Sequence, residues 1–185
     1  MLNIYRDKNY LNIKKTVDLA FFLSIAIVLS VFESFIPISF VLPGVKLGLT
    51  NIILVLLITK YSFKELLIFQ VIKIVITTFI LGVFSTFMFS LSGGLLALVL
   101  MFFAKKIFKS KITIYTVSMI GGIAHNVGQT LFAMWFLNAY ELIFYIPALV
   151  VVGCITGFIL GYIIEKLAIQ LEGVINYDRY KKIFS

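Results

Sequence analysis

The sequence is poor in the residues that most chemistry needs. It has one cysteine, one histidine and eight acidic side chains among 185 residues. Cys154 lies within an apolar run, so an internal disulfide is excluded and nothing about redox compartment follows. The aspartates, Asp7, Asp18 and Asp178, are widely separated, and no paired carboxylates or His/Cys cluster forms a metal-binding pattern. No Gly-x4-Gly-Lys-Ser/Thr loop is present to cradle a nucleotide phosphate, which excludes that route to ATP hydrolysis by this chain. No nucleophile stands beside an evident base. The expectation is therefore no catalytic residues, no metal and no cofactor. Charge is scarce too: 13% of residues, against about a quarter in soluble domains.

What the chain has in quantity is apolar side chains, 62% of residues, with a mean hydropathy of +1.11. This describes an all-α integral membrane protein, and the length suits six transmembrane helices of about 20 residues each with short loops. The apolar runs are Val17–Ile36, Leu47–Thr59, Leu66–Phe84, Phe87–Ala104, Ile112–Leu137 and Leu142–Ile164. The first is too long for a typical signal-peptide core, and no small-x-small cleavage pattern follows it. Between the first two runs, Pro37–Lys46 contains two of the three prolines and a glycine, and reads as a loop packed at or into the membrane surface. Leu47–Thr59 is only 13 residues, so it borrows length from that loop or is a broken helix lining a cavity. The chain divides into an N-terminal segment (1–16), a six-helix membrane domain (17–165) and a basic tail (166–185).

A net charge of +8 invites a nucleic-acid reading, but the cations sit between the apolar runs, where they set topology. With the N-terminus inside, 14 of the 16 Lys and Arg residues fall on the cytoplasmic side. That predicts a multi-pass protein of the cell membrane with both termini cytoplasmic, whose partner is the lipid bilayer and not nucleic acid. The two exceptions are informative: Lys46 lies on the outer side, and Lys73 lies at mid-span.

The most polar stretch at membrane depth is Met119–Thr130, which holds His125, Asn126 and Gln129. At 3.6 residues per turn, Gly121, His125 and Gln129 share one face. Gln70, Lys73 and Thr77 share a face of the third run, Glu33 lies near the far end of the first, and Asn51 lies early in the second. Polar groups at such depth are costly and face protein or water. Glu33, Lys46, Asn51, Gln70, Lys73, His125, Asn126 and Gln129 are therefore the candidate substrate-binding residues, and their distribution suits a pocket open to the outside. Plainer readings stand beside this one. Lys73 and Glu33 could neutralise each other, His125 could be interhelical glue, and Lys46 could anchor to lipid phosphate. The small residues Gly93, Gly94 and the four-residue ladder Gly153, Gly157 and Gly161 read as helix packing.

Three segments carry a resemblance: Pro43-Gly-Val-Lys-Leu-Gly-Leu-Thr-Asn51, Ser90-Leu-Ser-Gly-Gly-Leu-Leu-Ala97 and Gly121-Gly-Ile-Ala-His-Asn-Val-Gly-Gln129. In that order they resemble the hallmark segments of the Gx transporter family, often labelled heptaprenyl diphosphate synthase component I. That family is in turn similar to the substrate-binding S components of energy-coupling factor (ECF) transporters. The resemblance spans about residues 17–165. It implies six helices, a cytoplasmic N-terminus, a loop after helix one covering an outward-facing pocket, and docking of a small-residue motif on helix one to a shared transmembrane subunit energised by ATPases. Ala20 and Ser24 stand where S components often carry an Ala-xxx-Ala pair, with serine in the second place. It places Lys46, Asn51, Ser92, Gly93, Gly94, His125, Asn126 and Gln129 in the three motifs. Prenyl diphosphate synthases need aspartate-rich clusters, which this chain lacks. The expected function is thus a substrate-binding membrane subunit for uptake of a small vitamin- or redox-cofactor-precursor-like molecule, energised by separate partners. The alternatives are a membrane component associated with isoprenoid-quinone synthesis or extracellular electron transfer, and a small scaffold whose polar residues are only glue.

Overall fold

The computed structural model describes residues 8–36 and 48–170. Lys46 and the whole of the Pro37–Lys46 loop lie outside the described residues. The described residues form six α-helices and no strand: α1 (Lys8–Ser34), α2 (Asn51–Leu57), α3 (Phe63–Leu81), α4 (Ser85–Phe108), α5 (Ile114–Leu137) and α6 (Ile146–Gln170). Short 3-10 turns occupy Lys109–Lys111 and Tyr140–Tyr145.

Local chemistry sets the helix ends. α3 starts at Ser62, whose backbone N–H donates to Glu65 Oε2 at 2.8 Å, the reciprocal half of a capping box. It stops at Gly82, which takes the left-handed conformation (φ 67°) and donates to Thr78 O at 3.0 Å. α5 starts at Thr113, whose hydroxyl accepts the Thr116 N–H, and stops at Asn138, also left-handed at φ 51°. α6 begins with Pro147 in its first turn, where the missing N–H has no intrahelical partner to lose.

Among the described residues, three segments are long and apolar enough to cross a membrane: Asn12–Ser34, Ser85–Phe108 and Tyr140–Ala168. α3 and α5 have comparable length but carry polar groups at their middles, Lys73 in one and His125, Asn126 and Gln129 in the other. α2 is different in kind. Its seven residues span about 10 Å, a third of the hydrocarbon thickness. Every one of them is buried.

The long helices follow one another as an arc, α1 against α3, α3 against α4, α4 against α5 and α5 against α6. α2 packs inside this arc on α1, α5 and α6. Its residues, with Phe22 and Ala26 of α1, Leu98 and Met101 of α4, Val117 of α5 and Ile164 of α6, make the apolar core. Lys105 of α4 donates to Ile58 O at 2.6 Å, satisfying a carbonyl at the C-terminal end of α2.

Contacts at one end of the bundle fix the helix directions. Lys60 in the α2–α3 turn pairs with Asp18 of α1 at 2.7 Å, and Lys15 of α1 pairs with Glu65 of α3. Tyr115, early in α5, donates to Glu165, late in α6, at 2.6 Å. Lys105 and Lys106 in the last turn of α4, and Lys109 and Lys111 just after it, lie at this same end, so it is the cation-rich end. α1, α3 and α5 finish at the opposite end, where α4 and α6 begin.

Glycine governs the packing around α5. A methyl on Gly153 would lie 2.8 Å from Ile123 Cα, and one on Gly122 would lie 2.6 Å from Gly153 O. Gly157 and Gly161 meet Met119 and Tyr115 in the same way, so α6 lies backbone to backbone along α5. On the other side a methyl on Gly128 would lie 2.9 Å from Gly93 Cα, and Ser92 donates to Gly128 O at 3.1 Å.

Candidate functional site

A cavity of about 620 Å³ occupies the half of the bundle away from the cation-rich end. That is within the range of small-molecule sites. Its deepest lining comes from Thr50 at the start of α2, Lys73 of α3 and His125 and Gln129 of α5. Its outermost lining comes from Ile36, Leu81, Val83, Leu137 and Leu142, at or beyond the ends of α1, α3, α5 and the beginnings of α4 and α6. The space therefore runs from mid-bundle to that end.

The deep groups are held by neighbours. Lys73, only 4% exposed, donates from Nζ to Thr50 Oγ1 at 3.2 Å. Gln129 and His125 lie one turn apart, with Gln129 Nε2 3.1 Å from His125 Nε2. An amide N–H only donates, so in this arrangement the imidazole Nε2 accepts. Thr130 turns its hydroxyl back onto Asn126 O at 2.9 Å. The Thr77 hydroxyl, one turn above Lys73, also lines the cavity and has no hydrogen-bond partner among the described residues.

Glu33 lines the cavity from the last turn of α1. Its Oε1 accepts the Gly48 N–H at 2.6 Å. Gly48 is in the left-handed region (φ 75°), and its carbonyl accepts from Asn51 N–H at 2.8 Å. Glu33 thus pins the turn that starts α2 and presents Thr50 to Lys73.

Of the candidate residues, Glu33, Lys73, His125 and Gln129 line this one cavity. Asn51, Gln70 and Asn126 do not; they are buried off its lining, at 1%, 0% and 1% exposure. Both amide atoms of Asn51 and both of Gln70 lack a hydrogen-bond partner among the described residues. Each such atom costs about 1–3 kcal/mol unless a water or ligand reaches it. Gln70 lies against Gly94, and Gln129 against Gly93, so the adjacent glycines of α4 make room for two amide side chains from α3 and α5. Ala20 and Ser24 are exposed on α1, with the Ser24 hydroxyl folded onto Ala20 O at 3.0 Å. Among the described residues no group of His, Cys, Asp and Glu could hold a metal ion.

Sequence reasoning passed over Thr50, Thr78, Thr130, Phe89 and Tyr145, all on the lining. Signals were present for two of them. Thr50 and Thr130 adjoin Asn51 and Gln129, and threonine is polar enough to line a site yet common enough in apolar helices to escape notice.

No curated protein and no solved structure matches the chain. A family model, described as heptaprenyl diphosphate synthase component I, matches residues 22–167, which takes in every described residue on the cavity lining. The chain belongs to the heptaprenyl diphosphate synthase component I family.

Proposed function

We propose that this protein is the substrate-binding membrane subunit of an uptake system for a small molecule, held in the cavity between α1, α3, α4 and α5. In this reading all six helices belong to the membrane domain, with both termini cytoplasmic and the cavity end outermost. Separate ECF-type coupling and ATPase subunits supply the energy, and the exposed Ala20–Ser24 face of α1 docks the coupling subunit. The observation that carries the reading is the convergence of Lys73, His125, Gln129 and Thr50 at the deep end of one 620 Å³ space. A bundle that needed these groups only as glue would close on them, because buried polar groups are normally consumed by each other. Here Lys73 with Thr50, and Gln129 with His125, are hydrogen-bonded in pairs and still border an open space.

The test is mass spectrometry of small molecules extracted from the purified protein, comparing wild type with Lys73→Ala and His125→Ala. A species enriched in wild type and depleted in both variants supports uptake. Identical small-molecule content in all three refutes it.

The family description favours a second reading, a membrane component acting with a prenyl diphosphate synthase. Magnesium-diphosphate chemistry calls for clustered carboxylates, and among the described residues the cavity lining has a single acid, Glu33. This reading therefore assigns the protein an accessory role. It predicts that adding the protein in lipid to a soluble prenyl synthase changes product yield or chain length; no change removes it.

A further inference from the structure

On α3 and α5 the cavity lining is graded in polarity, and the gradient has a direction, while Ser34 of α1 and Thr86 of α4 keep hydroxyls nearer the open end. Along α3 the lining runs from Lys73 and Ile74 through Thr77 and Thr78 to Leu81, and along α5 from His125 through Gln129, Thr130 and Ala133 to Leu137. Both helices run from the deep end to the open end of the bundle, so hydrogen-bonding groups give way to aliphatic ones along the same axis. The 3-10 turn before α6 adds Tyr145, the start of α6 adds Leu149, and α4 adds Phe89. Phe89 is braced edge-on by Phe132, with ring centroids 5.2 Å apart, so the apolar wall is backed by a second aromatic layer.

Charge is graded as well. Among the described residues on the lining, Lys73 is the one cationic side chain and lies deep. Glu33, the one acidic side chain among them, lies in the last turn of α1 and spends Oε1 on the Gly48 N–H. Field lines from a charge in a low-dielectric pocket are weakly screened, so an oxyanion gains most beside Lys73 and least beside Glu33.

We infer that the cavity takes an amphiphilic oxyanion: a carboxylate or phosphate head seated deep among Lys73, His125 and Gln129, and an aromatic or branched apolar body directed outward along Phe89, Tyr145 and Leu149. This rests on the substrate-binding reading above and names the chemical class and orientation of its ligand. Small hydrophilic anions leave the apolar half wet. Neutral aromatics offer the deep groups no negative charge, and hydrogen bonds between charged groups are stronger than neutral ones.

The test is equilibrium dialysis against the full chain in lipid nanodiscs, which keep detergent out of the apolar half. The probes are 1-naphthoate, 1-naphthyl phosphate, 1-naphthamide, 1-naphthylmethylammonium and acetate. The expected result is binding of at least one naphthyl anion about tenfold or more tighter than the amide, weakest binding of the ammonium among the naphthyl probes, and no competition by acetate at equal concentration. The two anions separate a carboxylate site from a phosphate site. Lys73→Met abolishes the preference for anion over amide, and an unchanged helical circular-dichroism spectrum and a single elution peak show that the variant is folded; Lys73→Arg retains the preference. Amide or ammonium binding as tight as that of both anions overturns the class assignment but leaves the cavity a binding site. Competition by acetate overturns the amphiphile. Absence of binding by every probe overturns the class assignment, and if wild type also yields no enriched small molecule by mass spectrometry, the substrate-binding reading fails with it.

Discussion

Gly157→Ala adds one methyl group where α6 crosses α5, and the structure says what it would strike. The new carbon would lie 2.5 Å from Met119 Cα, 2.8 Å from Ser118 O and 2.9 Å from Met119 N. Ordinary van der Waals contact begins near 3.4 Å. All three atoms are backbone, so no side chain can rotate away, and relief requires the two helices to part by up to about 0.9 Å. Neighbouring contacts at Gly153 and Gly161 are carried along with that shift. Overpacking of this kind costs about 1–3 kcal/mol, which for a chain of this size corresponds to roughly 2–12 °C in melting temperature. The assay is a thermal melt of the purified protein in one fixed lipid or detergent system. Gly157→Ser falls by at least as much as Gly157→Ala, because only volume matters at this site. A Gly157→Ala protein that melts with wild type would refute the backbone-to-backbone packing of α5 on α6.

Gly82 supplies the contrasting case: nothing lies within 4 Å of a methyl placed there, but its φ is 67°. Gly82→Ala should cost about 1 kcal/mol from backbone strain alone, and Gly82→Asn should recover part of it because asparagine tolerates this conformation; equal melts for both variants would refute that cause. Gly48→Ala suffers both penalties, a φ of 75° and an approach of 2.9 Å to Asn51 Nδ2. Because Gly48 is the donor to Glu33, its variant should bind the proposed naphthyl anion more weakly as well as melt lower, whereas Gly82→Ala lowers the melt alone. At the cation-rich end, burial pushes the Glu65 carboxyl up, but hydrogen bonds from Lys15 and Ser62 outweigh it and hold its pKa below the ordinary value. A depressed carboxylate contributes stability above its unfolded-state pKa and loses it as pH falls through the folded-state value. Glu65 is half-buried but its ion pair with Lys15 lies at the surface, where solvent screens it, so the contribution is about 1 kcal/mol or less; the melting temperature of wild type should fall more than that of Glu65→Gln on acidification from neutral pH, and parallel curves would refute the assignment.

Hydropathy located the helices better than it located their ends. α1 begins at Lys8, nine residues before the apolar run at Val17, because helix-compatible polar residues without Gly or Pro extend a helix past the membrane boundary. The last run reads as a span from Leu142, yet α6 starts at Ile146, and the mark of that start is Pro147, a backbone signal that hydropathy ignores. The site followed the same rule. Helical periodicity put His125 and Gln129 on one face and Lys73 with Thr77 on another, and all four line the cavity. Periodicity carries no information about depth, however. Gln70 shares its face with Lys73 but lies one turn deeper, where it fits against Gly94 instead of the void. Asn126 is about 100° around the helix from His125, enough to turn it off the lining.

The distribution of glycine explains why a cavity exists at all. α5 has close glycine contacts on two sides, with α4 through Gly93 and Gly128 and with α6 through Gly122, Gly153 and Gly157. These seams draw three helices to near-minimum separation and leave little freedom between them. α1 has no such seam. Its face bearing Ile13, Val17, Phe21, Val28 and Phe32 is exposed, and Phe22 and Ala26 are its only core residues. α2, too short to cross the bundle, fills the space inside the arc only on one side of Asn51. Beyond that residue nothing among the described segments occupies the interior between α1 and α5, and the polar groups of α3 and α5 are left facing the gap. A full-length second helix would have buried Lys73 and His125 in protein. The truncation of α2 and the close packing of α4, α5 and α6 are therefore what give this apolar sequence an interior that a hydrophilic head group can enter.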